Sequence, residues 1–481
     1  MASLSKLCTA LAVASVFSST LALEVCTQIQ KAMTSASTVS FPGARVGNYT
    51  ADVFHWVASS SQSAACSVEP GTAADVSTII QLLGKAKAPF AVKGGGHSGN
   101  PGFSSTTGVQ ISMRRFSSVT YNNKSGTADI GPGLTWDQVY TALEPHGVVV
   151  AGGRVGGIGM AGFTLGGGYN WLTNQVGLTI DTVTAYELVK PNGKIVTVTA
   201  ASDPDLFFAL KGGGNNFGII TKFTLKTFAR GNVWGGAIGY PPSALAALQA
   251  AVLQFNNNVT DPKAQIIPGY THVSGEFEPS IVLFYDGPSQ PAKIYDAFLA
   301  IPNLFQDVSP RSMGALVASV PTDQPAGTRG YFHGVTLTGY SSKLLAAIAN
   351  ETSFWGARLP GVSVGYHIEP FLETIYAHNT MPTAFPWFRT PRTMPLNLQY
   401  TWNSSTPDAI VYKAMKQSAE YLTKIAVKDG TGVANAPIYP NYALFGTPLG
   451  SIYGNNIPRL RTIKAQVDPH NVMGLAGGWK L

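Results

Sequence analysis

The chain has 481 residues, 45% apolar and 12% charged, with a formal net charge of +7. A 10% aromatic share argues against a disordered chain, and the scattered basic residues form no run that would track a nucleic acid. The length exceeds one ordinary core and predicts two closely packed domains, while Gly 52 and Pro 31 predict many tight turns and little long helix.

Lys6, an apolar run over 7–17 and the small-residue exit Thr20-Leu21-Ala22 have the anatomy of a secretory signal peptide over 1–22. An uncleaved anchor is disfavoured because the run is shorter than the ~18 residues a bilayer span needs. Cys8 leaves with this leader, and Cys26 and Cys66 remain as an even pair suited to one disulfide in an oxidising compartment. Such a bridge would stabilise by about 4 kcal/mol and pin an N-terminal arm over 23–60. Sequons at Asn48, Asn123, Asn258, Asn350 and Asn403 are consistent with a secreted glycoprotein.

Beyond the arm, Val76, Ile79, Ile80, Leu82 and Leu83 recur at helical spacing from Thr72 towards Pro89. A short buried strand over 90–92 then delivers the first glycine loop, Lys93-Gly94-Gly95-Gly96-His97-Ser98-Gly99. Alone, this loop is either an anion cradle with an imidazole beside it or a Gly-rich surface loop. Strand signals follow over 109–113, and 118–121 with 127–130 predict a hairpin about Asn122-Asn123-Lys124-Ser125-Gly126. Thr135-Trp136-Asp137-Gln138 is a capping box that opens a helix stopping before Pro145.

A strand over 148–150 runs into a second glycine segment, 152–168, too glycine-dense to be helix or strand throughout. Its interleaved Val155, Ile158, Met160, Phe163 and Leu165 want burial, which a flexible linker would not provide. Runs at 182–189 and 194–198 flank the turn Pro191-Asn192-Gly193, and Ser202-Asp203-Pro204-Asp205 caps a helix ending at Lys211. The third glycine loop, 212–218, leads into a strand over 219–228. Past Gly231 the loops lengthen, with a helix expected over 243–255 and strands over 281–285, 334–337 and 396–402. A short helix is expected within 453–464.

The loops at 89–98, 166–169 and 212–219, with the terminal Tyr453-Gly-Asn-Asn, Arg459, Lys464, Asp468-Pro and Asn471, occur in one order. Together they resemble the FAD-linked oxidases of the vanillyl-alcohol oxidase superfamily, closest to the berberine-bridge-enzyme-like branch with its fungal oligosaccharide oxidases. The resemblance implies an α+β fold. An FAD-binding domain of two subdomains over 61–231 would be followed by a substrate domain over 232–437, its antiparallel sheet flanked by helices. A segment over 438–481 would return to the FAD domain. It implies FAD contacts at Lys93, Gly94, Gly95, Gly96, His97, Ser98, Gly153, Val155, Gly156, Gly157, Gly162, Gly166, Gly167, Gly218, Ile220 and Asn471. His97 would bond the flavin's 8α carbon. Val155 stands where many relatives carry a second, cysteinyl bond, so single attachment is expected.

Tyr439-Pro440-Asn441-Tyr442 resembles the family's Tyr-x-Asn-Tyr motif. Tyr439 is the first candidate for the base that takes the substrate hydroxyl proton and Tyr442 the second; packing between domains is the other reading of both. Gln399 would orient substrate, and Tyr400 or Trp402 would either stack on a ring or pack in the core. His367, Glu369 and His378 match no metal spacing, so no metal is expected. The expectation is a secreted, monomeric oxidase taking a hydride from an alcohol, hemiacetal or sugar C1 hydroxyl to FAD, with dioxygen as acceptor and neither membrane nor nucleic acid as partner. An FAD-linked enzyme of secondary metabolism is the alternative, and a flavin-free binding protein on the same fold is disfavoured.

Overall fold

The computed structural model describes residues 22–44, 47–320, 322–379, 381–403 and 405–481. The leader expected over 1–22 lies outside them except for Ala22, which opens a helix over 22–32 whose Val25, Cys26 and Ile29 are buried. Cys26 and Cys66 form the expected disulfide, which ties this helix to the first sheet. That sheet runs Thr38–Ser40, Cys66–Glu69, Val109–Ser112, Phe90–Lys93; the first pairing is antiparallel and the other two parallel. The helix Ala73–Ala86 forms where the spacing requires it, capped by the Thr72 side chain and closed by Lys87 in the left-handed conformation.

A five-stranded antiparallel sheet follows in the order Val119–Asn122, Thr127–Ile130, Ile219–Lys226, Val183–Val189, Ile195–Val198. Both expected hairpins are in it. The capping box at Thr135 and Gln138 opens Trp136–Leu143, and the second glycine segment contains one short helix, Met160–Leu165.

Val148–Val149 and Phe228–Ala229 pair as a two-stranded antiparallel sheet, and the remaining strands form a seven-stranded antiparallel sheet: Phe305–Arg311, Val233–Gly239, Glu276–Tyr285, Ala264–Val273, Val362–Ile368, Met394–Trp402, Arg329–Leu337. One face carries Leu396, Leu398, Tyr400 and Trp402 into a large apolar core with residues of helices Ser342–Arg358 and Asp408–Lys428. The expectation of little long helix is therefore wrong. Total glycine and proline content does not limit the length of any one helix, and Asp408–Lys428 runs 21 residues without either. Of the two readings of Tyr400 and Trp402, packing in the core is the one the structure gives. Tyr400 packs inward, its hydroxyl 2.6 Å from that of Tyr366, and Trp402 meets Tyr331 edge-on at 4.8 Å. C-terminal residues Leu460 and Ile463 pack with the five-stranded sheet, and Val472 and Met473 with the first sheet.

Candidate active site

The first and second glycine segments touch backbone to backbone. A Cβ on Gly95 would lie 2.5 Å from Gly159 Cα, and one on Gly94 would lie 2.8 Å from Pro132 O. Gly96 adopts a left-handed φ of +74°. Among the described residues, the backbone N–H groups of Gly95, Gly96 and His97 find no protein acceptor, which suits an anion. Gly153 lies against the Trp136 indole, where a Cβ would come within 2.5 Å. Gly157 is left-handed and Gly162 is exposed with open space around it. Val155, Ile158, Ala161, Phe163 and Leu165 remain half-buried along this strip. Free donors beside an uncovered apolar strip fit a cofactor with a pyrophosphate and a flat apolar ring.

His97 is held in an aromatic stack. Its ring lies 4.6 Å from Trp56, and Trp56 lies 4.8 Å from Phe332. Burial pushes the imidazole down to about 4, so it is neutral near pH 7. Ser98 Oγ accepts from Asn100 N at 3.3 Å. The Lys93 ammonium turns to the carbonyls of Ala51 (2.7 Å) and Asp52 (3.2 Å) in the N-terminal arm, so its charge is occupied there. Burial holds it down to about 8.

The two candidate tyrosines occupy different environments. Tyr439 is buried, and its hydroxyl accepts from Gly168 N (3.0 Å) and Asn441 Nδ2 (2.8 Å); burial pushes it up to about 12. Gly166 is needed beside this contact, because a Cβ there would lie 2.0 Å from Asn441 Oδ1, and Gly167 packs against the Tyr439 ring. Tyr442 is half-buried, its ring 6.3 Å from Phe332. Its hydroxyl donates to Glu369 Oε1 at 2.8 Å and accepts from Arg154 Nη2 at 3.2 Å. Arg154 Nη2 also lies 2.5 Å from Glu369 Oε2, a buried ion pair. Burial pushes Glu369 up against the pull of Arg154, and burial with the adjacent Glu369 holds Tyr442 well above the usual phenol range. A phenol bonded to a carboxylate can pass on a proton that it receives.

The sheet face opposite the large core carries polar residues beside this group. Gln399 is half-buried and paired in register with Phe332 and Gly365, while Asn397, two residues away on the same face, is paired with His367 and Gly334. A Cβ on Gly334 would lie 3.5 Å from Tyr442 Cβ, which brings this row beneath that tyrosine. Among the described residues, Asn397 Oδ1 is buried without a hydrogen-bond partner. Of the residues weighed as a metal set, Glu369 faces Arg154, whereas His378 Nε2 lies 2.9 Å from Asn174 O. Other expected contacts have mainly architectural surroundings. Gly218 has φ +142° and would clash with Val189 O, Ile220 is buried in the five-stranded sheet, and Asn471 is an exposed left-handed turn residue.

The sequence reading missed Arg154, Trp56, Phe332 and Thr322. Arg154 had a signal, because it is the one charged residue within the glycine segment 152–168. The others had none, since their place depends on contacts across as many as 266 residues of chain.

Two family models match the chain: an FAD binding domain over 64–199, and the berberine and berberine-like segment over 439–476. An uncharacterized FAD-linked oxidoreductase of Arthroderma benhamiae is 33% identical over 372 residues, 73% of each chain. An FAD-dependent monooxygenase of Cochliobolus heterostrophus is 29% identical, covering 92% of this chain and 89% of its own. Among solved structures, a xylooligosaccharide oxidase from Myceliophthora thermophila in complex with xylobiose superposes with a TM-score of 0.76. It is 20% identical and covers 95% of this chain and 99% of that one, a likeness of fold. The glycine cradle, the α+β architecture and these matches together make the chain a member of the FAD-linked oxidoreductases with a berberine-like C-terminal segment.

Proposed function

We propose that this protein is a flavin-dependent oxidase that removes a hydride from a hydroxyl-bearing carbon of a small molecule, with Tyr442 as the proton acceptor. The observation that carries the reading is the Tyr442–Glu369–Arg154 group on the sheet face, joined through Phe332 to the stack around His97. FAD would be held by the two glycine segments with His97 as its single covalent tether, and when bound it supplies the hydride acceptor. In this arrangement the Tyr442 oxygen takes the substrate hydroxyl proton as its own proton moves to Glu369, whose carboxylate Arg154 keeps ionised and positioned until that transfer. Gln399 and Asn397 orient the substrate from the sheet. Tyr439, with both its acceptor positions used by Gly168 and Asn441, holds the motif in place, so the order expected from the sequence is exchanged.

Dioxygen as electron acceptor, secretion, a monomeric state and the division into domains at 61–231, 232–437 and 438–481 belong to this proposal. Sugars and simple alcohols are the first substrate class, supported by the oligosaccharide oxidases of like fold. The alternative, a small-molecule enzyme of secondary metabolism, is favoured by the curated relatives named monooxygenases, at 29% identity over most of the chain. Peroxide release measured over oligosaccharides, alcohols and polycyclic phenols separates the two. Release with none of them, from protein that contains flavin, refutes the oxidase reading. A denaturing gel under ultraviolet light tests the tether: fluorescence is expected in the wild type and lost in His97→Ala.

A further inference from the structure

His97 Nε2 lies 3.3 Å from Thr322 Oγ1, and that hydroxyl donates to Gly156 O at 2.7 Å. A hydroxyl has one proton. With that proton on Gly156, Thr322 can only accept from the imidazole, so Nε2 carries the ring proton and Nδ1 keeps the lone pair. We propose that Thr322 is a positioning residue for covalent flavin attachment, fixing the His97 tautomer so that Nδ1 forms the bond. This rests on the reading of His97 as the tether.

The surroundings support this function for Thr322. Its backbone carbonyl accepts from Trp56 Nε1 at 2.6 Å, so one residue holds both the imidazole and the indole stacked upon it. The same loop is tied to the second glycine segment again, where Gly156 N donates to Val320 O at 3.2 Å. Burial keeps the ring neutral, as a nucleophile must be. In the attachment step the Nδ1 lone pair forms a bond to the flavin methyl carbon and one C–H bond of that methyl breaks. Its electron pair enters the flavin ring, and the methyl proton and the Nε2 proton follow. Dioxygen then accepts the electron pair and both protons as hydrogen peroxide.

The test uses the full chain with Thr322→Val, Thr322→Ser and His97→Ala. The covalent share of bound flavin is read by mass spectrometry, and the linkage atom by NMR of the 15N-histidine-labelled flavinyl peptide. Thr322→Val should retain FAD non-covalently while attachment slows by about tenfold or more, and Thr322→Ser should restore it. The wild-type bond should be to Nδ1. A Thr322→Val attachment rate within about twofold of wild type, or a bond to Nε2, overturns the proposal even if His97→Ala abolishes attachment. Failure of Thr322→Val to bind FAD leaves the linkage atom and the Thr322→Ser rate to decide. Absence of covalent flavin in the wild type removes the tether reading itself, and this proposal with it.

Discussion

Replacing each tyrosine of the Tyr-x-Asn-Tyr motif with phenylalanine should give opposite results. In Tyr442→Phe the hydroxyl between Glu369 and Arg154 is lost, but those two remain paired with each other at 2.5 Å. The stability cost is then that of hydrogen bonding to a charged group, about 1.5–3 kcal/mol. Loss of the general base should slow anaerobic flavin bleaching by roughly 100- to 10,000-fold, equivalent to about 3–5 kcal/mol of barrier. Tyr439→Phe instead strands the buried Gly168 N–H and leaves one amide proton of half-buried Asn441 without its partner, because the other amide proton is committed to Phe163 O. The buried unsatisfied donor costs about 1–3 kcal/mol in stability, while bleaching should stay within about tenfold of wild type. Urea unfolding measures the first quantity and stopped-flow reduction under nitrogen the second. If Tyr439→Phe bleaches far more slowly than Tyr442→Phe and keeps wild-type stability, the assignment of the base to Tyr442 is wrong.

Two further outcomes follow from the same geometry. Gly95→Ala places a methyl 2.5 Å from Gly159 Cα, with backbone on both sides. The two loops must then part, and the flavin-to-protein absorbance ratio of the purified protein should fall well below that of Gly450→Ala, whose added methyl meets open space; equal ratios would refute the cradle. His333 is buried with its Nδ1 accepting from Leu444 N, and burial lowers it to about 4 from 6.5. Its folded value lies below its unfolded one, so the stability it supports is present above pH 6.5 and is lost as pH falls from 6.5 to 4, at up to roughly 1.4 kcal/mol per pH unit. Urea midpoints across that window should fall more steeply for the wild type than for His333→Gln, and identical slopes would exclude His333 as a source.

Local features were legible wherever residue type dictates backbone. Thr72 and Thr135 cap the helices they introduce, and Asn122–Gly126 turns a hairpin, because caps and turns are settled within a few residues. Strands Val233–Gly239 and Ala264–Val273 were missed because Gly235, Gly236, Pro268 and Gly269 stand inside them. A sheet supplies neighbours that make such residues tolerable, and no local pattern records those neighbours.

The division is the same at the site. By itself the sequence determined that three glycine loops occur in order, the first with His97 beside it, and that a tyrosine motif lies near the end of the chain, since glycine content and motif order are properties of the chain alone. Only the tertiary structure decided which tyrosine meets a proton acceptor. Arg154, Glu369 and Tyr442 come from three distant segments, Arg154 and Tyr442 being 288 residues apart. Hydrogen bonds among them act over about 3 Å and depend on how the seven-stranded sheet lies against the glycine segments.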